Sequence, residues 1–311
     1  MPVEEITPGV ARLRTLIANI YLVGRPGGPW VLVDTGTPGN AARIRDEAEQ
    51  RYGRDTRPEA ILLTHGHWDH AGSALPLAEY WDVPIYAHRL ERPFLNGKSA
   101  YPPKDPMAGG AFSFLSRFFP SSTVDLGARL YDLPEGGEAP GLAGWRWHFT
   151  PGHAPGHVAF FQRDESVLLA GDACITMDLD SAMGIVAQEP RISRPPAPFT
   201  YDWDQAQRSV ELLADLRPTA IGAGHGEPMF GRAVAIGLAD LARDFPRPRR
   251  GRYAVEPARA DETGVTFVPP PAPDPAPKIA AAVGLAAVAL GAVVVLSKRS
   301  GAESQEREAN R

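Results

Sequence analysis

The chain of 311 residues lacks the features that define several large protein classes. It has one cysteine, Cys174, so no disulfide can form within it and a disulfide framework is excluded. Basic residues are not in excess: 32 Lys and Arg stand against 37 Asp and Glu, a net charge of −5. The positive field of a nucleic-acid-binding surface is therefore missing, and no nucleic acid partner is expected. Met1-Pro2-Val3-Glu4-Glu5 is polar and carries no hydrophobic signal region, which leads us to expect a catalytic domain that stays in the cytoplasm. Histidine is also scarce, with eight in all. Apolar content, in contrast, reaches 43%, enough for one large core with appendages.

The few histidines are concentrated. His65-Gly66-His67-Trp68-Asp69-His70 places three imidazoles and one carboxylate in six residues, directly after the apolar run Ile61-Leu62-Leu63. Neutral imidazole nitrogen and carboxylate oxygen suit zinc and similar divalent ions, and a loop leaving a strand can turn all four side chains to one point. Three later segments repeat the arrangement of an apolar run ending in a ligand-type residue. Trp145-Arg146-Trp147-His148-Phe149 leads through Thr150-Pro151-Gly152 to His153, Val167-Leu168-Leu169-Ala170 ends in Gly171-Asp172, and Thr219-Ala220-Ile221-Gly222 leads to Gly224-His225-Gly226. Early in the chain Val31-Leu32-Val33 ends in Asp34. Functional loops sit at the ends of rigid strands, and five strand ends here carry metal-type or metal-supporting groups.

The pattern His-x-His-x-Asp-His followed in order by His, Asp and His resembles that of the metallo-β-lactamase-fold hydrolase superfamily, over roughly residues 3–240. The resemblance implies an α/β fold, a four-layer αββα sandwich of the metallo-β-lactamase type. It also implies two divalent metal ions, zinc (Zn2+) first, with Fe or Mn as alternatives. Carried over residue by residue, the first site falls on His65, His67 and His153, the second on Asp69, His70 and His225, and the bridging carboxylate on Asp172. Asp34 matches a supporting position behind the ligands, and His157 one that is usually structural.

The implied activity is that of a binuclear hydrolase. Two ions about 3.5 to 4 Å apart share a hydroxide that attacks the substrate, with Asp69 as the catalytic carboxylate. A small ester, thioester or lactone, of the kind taken by glyoxalase II-type enzymes and lactonases, is the expected small-molecule substrate. A mononuclear iron dioxygenase acting on persulfides, or a phosphodiesterase or nuclease of the same fold, are the alternatives. Several branches of zinc β-lactamases place Arg or Cys where this chain has His70 and Asp172, so antibiotic hydrolysis is not the first expectation. Cys174, two residues after Asp172, reads as a buried apolar-like thiol.

Composition also suggests where the chain divides. Residues 39–52 and 202–216 read as amphipathic helices, the second capped by Asp202 or Asp204 and closed before Pro218. A Pro-, Gly- and aromatic-rich insert covers residues 89–141, in which 112–119 is either a short core helix or a pocket wall. A second insert covers 176–201, with Arg191 and Arg194 as candidate anion holders or ordinary surface charges. We expect a catalytic domain at 1–243, a Pro/Arg-rich linker at 244–277, a hydrophobic helix at 278–297 and a polar tail at 298–311. The run at 279–296 is uncharged and spans about 27 Å as a helix, barely a hydrocarbon core, which predicts a C-terminal membrane anchor. Lys298, Arg299, Arg307 and Arg311 after it argue for the opposite orientation, with the catalytic domain outside.

Overall fold

A computed structural model of the protein describes residues 3–120 and 124–274. The first sheet has seven strands in chain order: β1 Glu4–Thr7, β2 Val10–Arg14, β3 Asn19–Val23, β4 Val31–Val33, β5 Ile61–Leu62, β6 Ile85–Ala87 and β7 Leu130–Asp132. It is antiparallel as far as β4 and parallel from β4 to β7. The second sheet contains β8 Trp145–Phe149, β9 Val158–Gln162, β10 Val167–Leu169, β11 Ala220–Gly222 and β12 Met229–Phe230, in the order β12-β11-β10-β9-β8. There β10 and β11 are parallel and the other pairs antiparallel.

The period-2 alternation of the strands dictates the layers, because successive side chains point to opposite faces. In the first sheet Tyr21, Val23, Val31, Val33 and Leu62 share a buried cluster with Val158, Phe160, Val167, Leu169 and Ala220 of the second, so the sheets pack face to face. The alternate residues Ile20, Leu22, Leu32 and Ile61 face the helices α1 (Ala41–Tyr52) and α3 (Ala74–Trp81). Ala159, Phe161, Leu168 and Ile221 face α7 (Trp203–Asp215) and α8 (Arg232–Arg243) on the other side. Helix, sheet, sheet, helix is thus the order of layers, as the resemblance implies.

The helix limits follow local chemistry. In α1, Ile44, Ala48 and Tyr52 recur every four residues and are buried. Trp30, just before β4, stacks on Tyr52 at 4.4 Å between ring centroids and meets Trp81 edge-on at 5.7 Å, tying both helices to the sheet. The expected cap of α7 is Asp202, whose carboxylate accepts from Gln205 N at 2.9 Å.

Two expectations need correction. The stretch read as a linker, 244–277, lies within the compact unit Met1–Pro271 as far as residue 271. It contributes the hairpin β13 (Arg259–Asp261) and β14 (Gly264–Phe267), and it buries Tyr253 against Tyr201, Trp203 and Ala108. Tyr253 OH donates to Pro103 O at 2.6 Å and Arg252 N to Asp105 Oδ2 at 2.6 Å. Proline and arginine content signals exposed backbone, but one aromatic ring and satisfied backbone donors suffice to pin it.

The second correction concerns the expected C-terminal membrane anchor and the cytoplasmic placement expected with it. Among the described residues no helix is long and apolar enough to cross a membrane. The run at 279–296 and the helix expected at 278–297 lie outside the described residues, so neither the anchor nor that localisation is supported.

Phe160 is fully buried between the sheets, two strand residues away from the loop that carries His157. Phe160→Ala should lower the unfolding free energy by about 3–5 kcal/mol in chemical denaturation, the typical cost of emptying such a site.

Candidate metal centre

The parallel pairing aligns the ends of β4 and β5 in one sheet and of β10 and β11 in the other. The loops after these strands, with the loop joining β8 to β9, supply the candidate residues. Asp34 follows β4 with a left-handed backbone, φ 59°, a conformation that Asp adopts more readily than most residues. His65 and His67 follow β5, and the short helix α2 (Trp68–Ala71) turns Asp69 and His70 inward. His153 lies after β8, Asp172 after β10 and His225 after β11.

These side chains converge in two groups with Asp172 between them. His65 Nε2 lies 2.9 Å and His153 Nε2 3.0 Å from His67 Nδ1. Such a meeting of ring nitrogens suits a shared cation better than hydrogen bonding, since neutral imidazole has one donor for each acceptor. His225 Nε2 is 3.6 Å from Asp69 Oδ2 and 3.1 Å from Asp172 Oδ2, and His70 Nε2 is 3.9 Å from Asp69 Oδ2. Asp172 also reaches the first group, with Oδ2 3.4 Å from His153 Nε2. His65, His67 and His153, and separately Asp69, His70 and His225, are grouped closely enough to hold an ion each; His65, His70 and Asp172 make a third such set.

The chemistry of the donors fits divalent cations. His70 Nε2 and Asp172 Oδ1 are buried and have no hydrogen-bond partner in the protein. A buried polar atom without a partner costs about 1–3 kcal/mol, and more if charged, which a bound ion would relieve. Although burial raises Asp172, His225 and His70 overcome it and hold its carboxyl well below the usual range. Burial likewise opposes charge on His70, but Asp172, Asp69 and Asp34 outweigh it and raise His70 to about 10. Burial alone dominates at His65 and His153, pushed well below ordinary histidine, and at His67, lowered to about 4. These three rings are accordingly neutral, the form in which imidazole binds metal.

A layer of support fixes the rings. Asp34 accepts from Thr64 N at 2.8 Å and Thr64 Oγ1 at 2.8 Å, and its Oδ2 lies 2.9 Å from His70 Nδ1. With Nδ1 of His70 engaged by Asp34, its Nε2 is left to face Asp172, 3.6 Å from Oδ1. His157 lies behind these groups: its Nε2 accepts from Asp172 N at 2.9 Å, and its Nδ1 meets Thr150 Oγ1 at 2.8 Å. Burial lowers His157 to about 3, so it accepts as a neutral ring. Gly224 is required, since a Cβ there would come within 2.1 Å of Asp172 Oδ1.

Three contributors were not anticipated. Tyr201 OH lies 2.8 Å from His67 Nε2, which leaves Nδ1 to face the other histidines. Glu91, fully buried, accepts from Gly66 N at 2.8 Å and Gly156 N at 2.6 Å, joining the two histidine loops, and also binds Tyr101 OH. A glutamate in a Pro- and Gly-rich insert reads as surface, so no signal marks Glu91. Tyr201 sits one residue before the cap of α7, and that position is the only sequence sign of it.

The inserts close over the site. Residues 112–119 form α5 (Ala111–Leu115) and a 3-10 turn, and Phe112 and Phe119 line the cleft above Asp69, His153 and His225. Arg194 binds Asp180 Oδ1 at 2.9 Å and lies over Trp203, so it braces the wall and does not point to a substrate. Arg191 is exposed. Cys174 is buried as expected, its thiol pushed up to about 12 by burial.

Comparison with known proteins agrees with this geometry. The family model described as "Metallo-beta-lactamase superfamily" matches residues 13–225. The chain is 42% identical over 241 residues to "Probable metallo-hydrolase YflN" of Bacillus subtilis, covering 76% of this chain and 91% of that protein. Among solved structures, the metallo-beta-lactamase family protein TTHA1429 of Thermus thermophilus is 28% identical with a TM-score of 0.52, over 77% of this chain and 80% of its own. TTHA1623, solved in a di-iron-bound form, is 28% identical with a TM-score of 0.50, over 76% and 97%.

Asp34→Asn keeps the shape of the side chain but removes its charge from behind His70. Metal affinity should fall by about 10- to 100-fold, read by competition with a chromogenic chelator, as for other losses behind the ligands.

Proposed function

This chain belongs to the metallo-beta-lactamase superfamily and is a metal-dependent hydrolase, and we propose that it cleaves a small ester, thioester or lactone at a centre of two divalent ions. The observation that carries this reading is the pair of orphaned buried atoms, His70 Nε2 and Asp172 Oδ1, set between two complete groups of ligand-type side chains. In this proposal His65, His67 and His153 hold one ion, Asp69, His70 and His225 the other, and Asp172 both. Zinc suits the nitrogen and oxygen donors. The di-iron form of TTHA1623 makes iron the alternative. Bound there, the ions would supply Lewis acidity toward the substrate carbonyl and bring the pKa of a water down toward neutrality.

The protein's own groups orient the reaction. Water oxygen bonds to the acyl carbon, the C–O or C–S bond breaks, and the departing oxygen or sulfur takes up a proton, giving a carboxylic acid and an alcohol or thiol. Asp69 lies on the cleft floor beside His225 and accepts the proton of the attacking water, then passes it to the leaving group. With an ion on His67 Nδ1, the ring proton would sit on Nε2 and be donated to the Tyr201 oxygen 2.8 Å away, which leaves the Tyr201 hydroxyl proton to be donated into the cleft that Tyr201 lines. Burial holds that phenol well above its ordinary pKa, so it stays a donor. Directed at the carbonyl oxygen, it would stabilise the charge that develops there. Phe112, Phe119 and Phe199 shield the site from bulk water.

Purified protein should contain two divalent ions per chain by elemental analysis and lose hydrolysis of thioester and lactone substrates on treatment with chelator. Asp172→Ala should lose both ions and nearly all turnover. One redox-active iron per chain, with oxygen consumed in the presence of a persulfide, would defeat the reading. Tyr201→Phe should lower kcat by about 10²- to 10³-fold, the usual effect of removing one donor to a developing oxyanion. An unchanged kcat in that variant would remove Tyr201 from the reaction.

A further inference from the structure

The cleft over the candidate centre does not end there. A second cleft adjoins it, and Ile17, Phe112, Phe119 and His225 line both. The two meet at His225, whose Nδ1 lies 2.7 Å from Ile17 O. That contact sets the β2–β3 turn beside the centre, with Thr15 closing it on Ala18 O.

The walls of the second cleft come from three separate segments: Leu16 and Ile17 of the turn, Phe112, Leu115 and Phe119 of the first insert, and Ile185 of α6 (Ala182–Ala187) in the second. The inserts are fastened together, Ala111 N donating to Asp180 O at 2.8 Å and Phe112 N to Leu179 O at 3.2 Å. The polar side chains on this wall are already engaged with the protein. Asn19 donates to Ala223 O and Gly226 O, while Arg14 binds Glu227 and Gln188. A ligand passing from the centre into this cleft therefore meets hydrocarbon and aromatic surface, with charges already paired. Leu16 is 80% exposed, Ile17 39% and Leu115 40%, so apolar side chains of the wall continue to the rim. Exposed apolar side chains grouped around an opening mark a binding site for apolar matter.

We infer that the second cleft is an acyl-chain site, and that the substrate carries a linear alkyl chain whose carbonyl lies at the centre and whose tail runs past His225 and Ile17 between the two inserts. The inference rests on the hydrolase reading for the position of the carbonyl, but the apolar cleft can be tested separately.

The experiment uses metal-loaded full-length protein and p-nitrophenyl esters from acetyl to dodecanoyl, each kept below its critical micelle concentration. kcat/KM should climb by up to about fourfold per methylene while the chain fills the cleft, then level off. Leu115→Gln and Ile185→Gln should flatten that slope. Leu115 is 40% exposed, so its replacement leaves the core intact. Chelator-sensitive cleavage of the acetyl ester with a flat or falling slope would overturn the acyl site and leave the hydrolase reading standing. A rate that rises only above the critical micelle concentration would assign the apolar rim to aggregated lipid and also overturn it. Calorimetric binding of decanoate and butyrate reads the cleft without turnover. Decanoate should bind at least tenfold more tightly, and Leu115→Gln should narrow the gap. Equal affinities would overturn the proposal; tight decanoate binding with no ester cleaved would support the site and overturn the hydrolase reading alone.

Discussion

The structure depends on one carboxylate, Asp172, placed where the ends of two sheets meet. It is almost fully buried, and His70, His153 and His225 all lie within 3.6 Å of it. A buried charge is tolerated only when paired, because removal from water costs several kcal/mol even after relaxation. Without metal, protons on His70 and His225 provide the compensation, which is why both are raised above ordinary histidine despite burial. Divalent ions can take over that role, displacing protons as they bind, so the same imbalance that makes the centre costly to bury makes it receptive to metal.

The layered fold was legible through the resemblance carried by the motifs at the strand ends, and periodicity alone did not give it, because the strands are apolar on both faces. Strands such as Asn19–Val23 and Val158–Gln162 alternate between two apolar environments, and that alternation determines which side chains lie between the sheets and which meet helices. The candidate residues were legible for a related reason: His65 to His70, His153, Asp172 and His225 each follow a short apolar run, so strand ends could be paired with ligand chemistry from residue order alone. Support around them was less visible. Asp34 showed itself through its place after Val33, whereas Glu91 acts through backbone amides of Gly66 and Gly156 that are distant in sequence and carry no signature. The stretch 244–271 misled because composition reports average solubility. It cannot show that Tyr253 finds a partner on Pro103 or that Ala258 N bonds Tyr201 O.

That returning segment links the periphery to the centre. Tyr201 touches His67 through its hydroxyl and packs with Tyr253 and Trp203 behind it. Asp105, in the first insert, accepts from Arg252 N and Met107 N. The residues after α8 thus brace the ring that orients one of the histidines, and they do so by packing and backbone hydrogen bonds without reaching the cleft.

Rigidity and adaptability are therefore divided between separate parts of the chain. The ligand-type groups stand on strand ends whose neighbours leave no room to move: a Cβ at Gly171 would lie 2.6 Å from His157 Nε2, and one at Gly224 would meet both Asp172 and His70. The cleft walls come instead from α5 and α6, short helices that bury few residues, and from a two-residue turn at Leu16 and Ile17. Substitution in α5 or α6 alters volume and polarity beside the substrate at modest cost to the core, whereas substitution at the strand ends disturbs a buried network in which each hydrogen bond supports the next. A scaffold divided in this way can keep one metal-binding geometry while its choice of substrate is set by side chains such as Phe112, Leu115 and Ile185, which contribute little to the layered core.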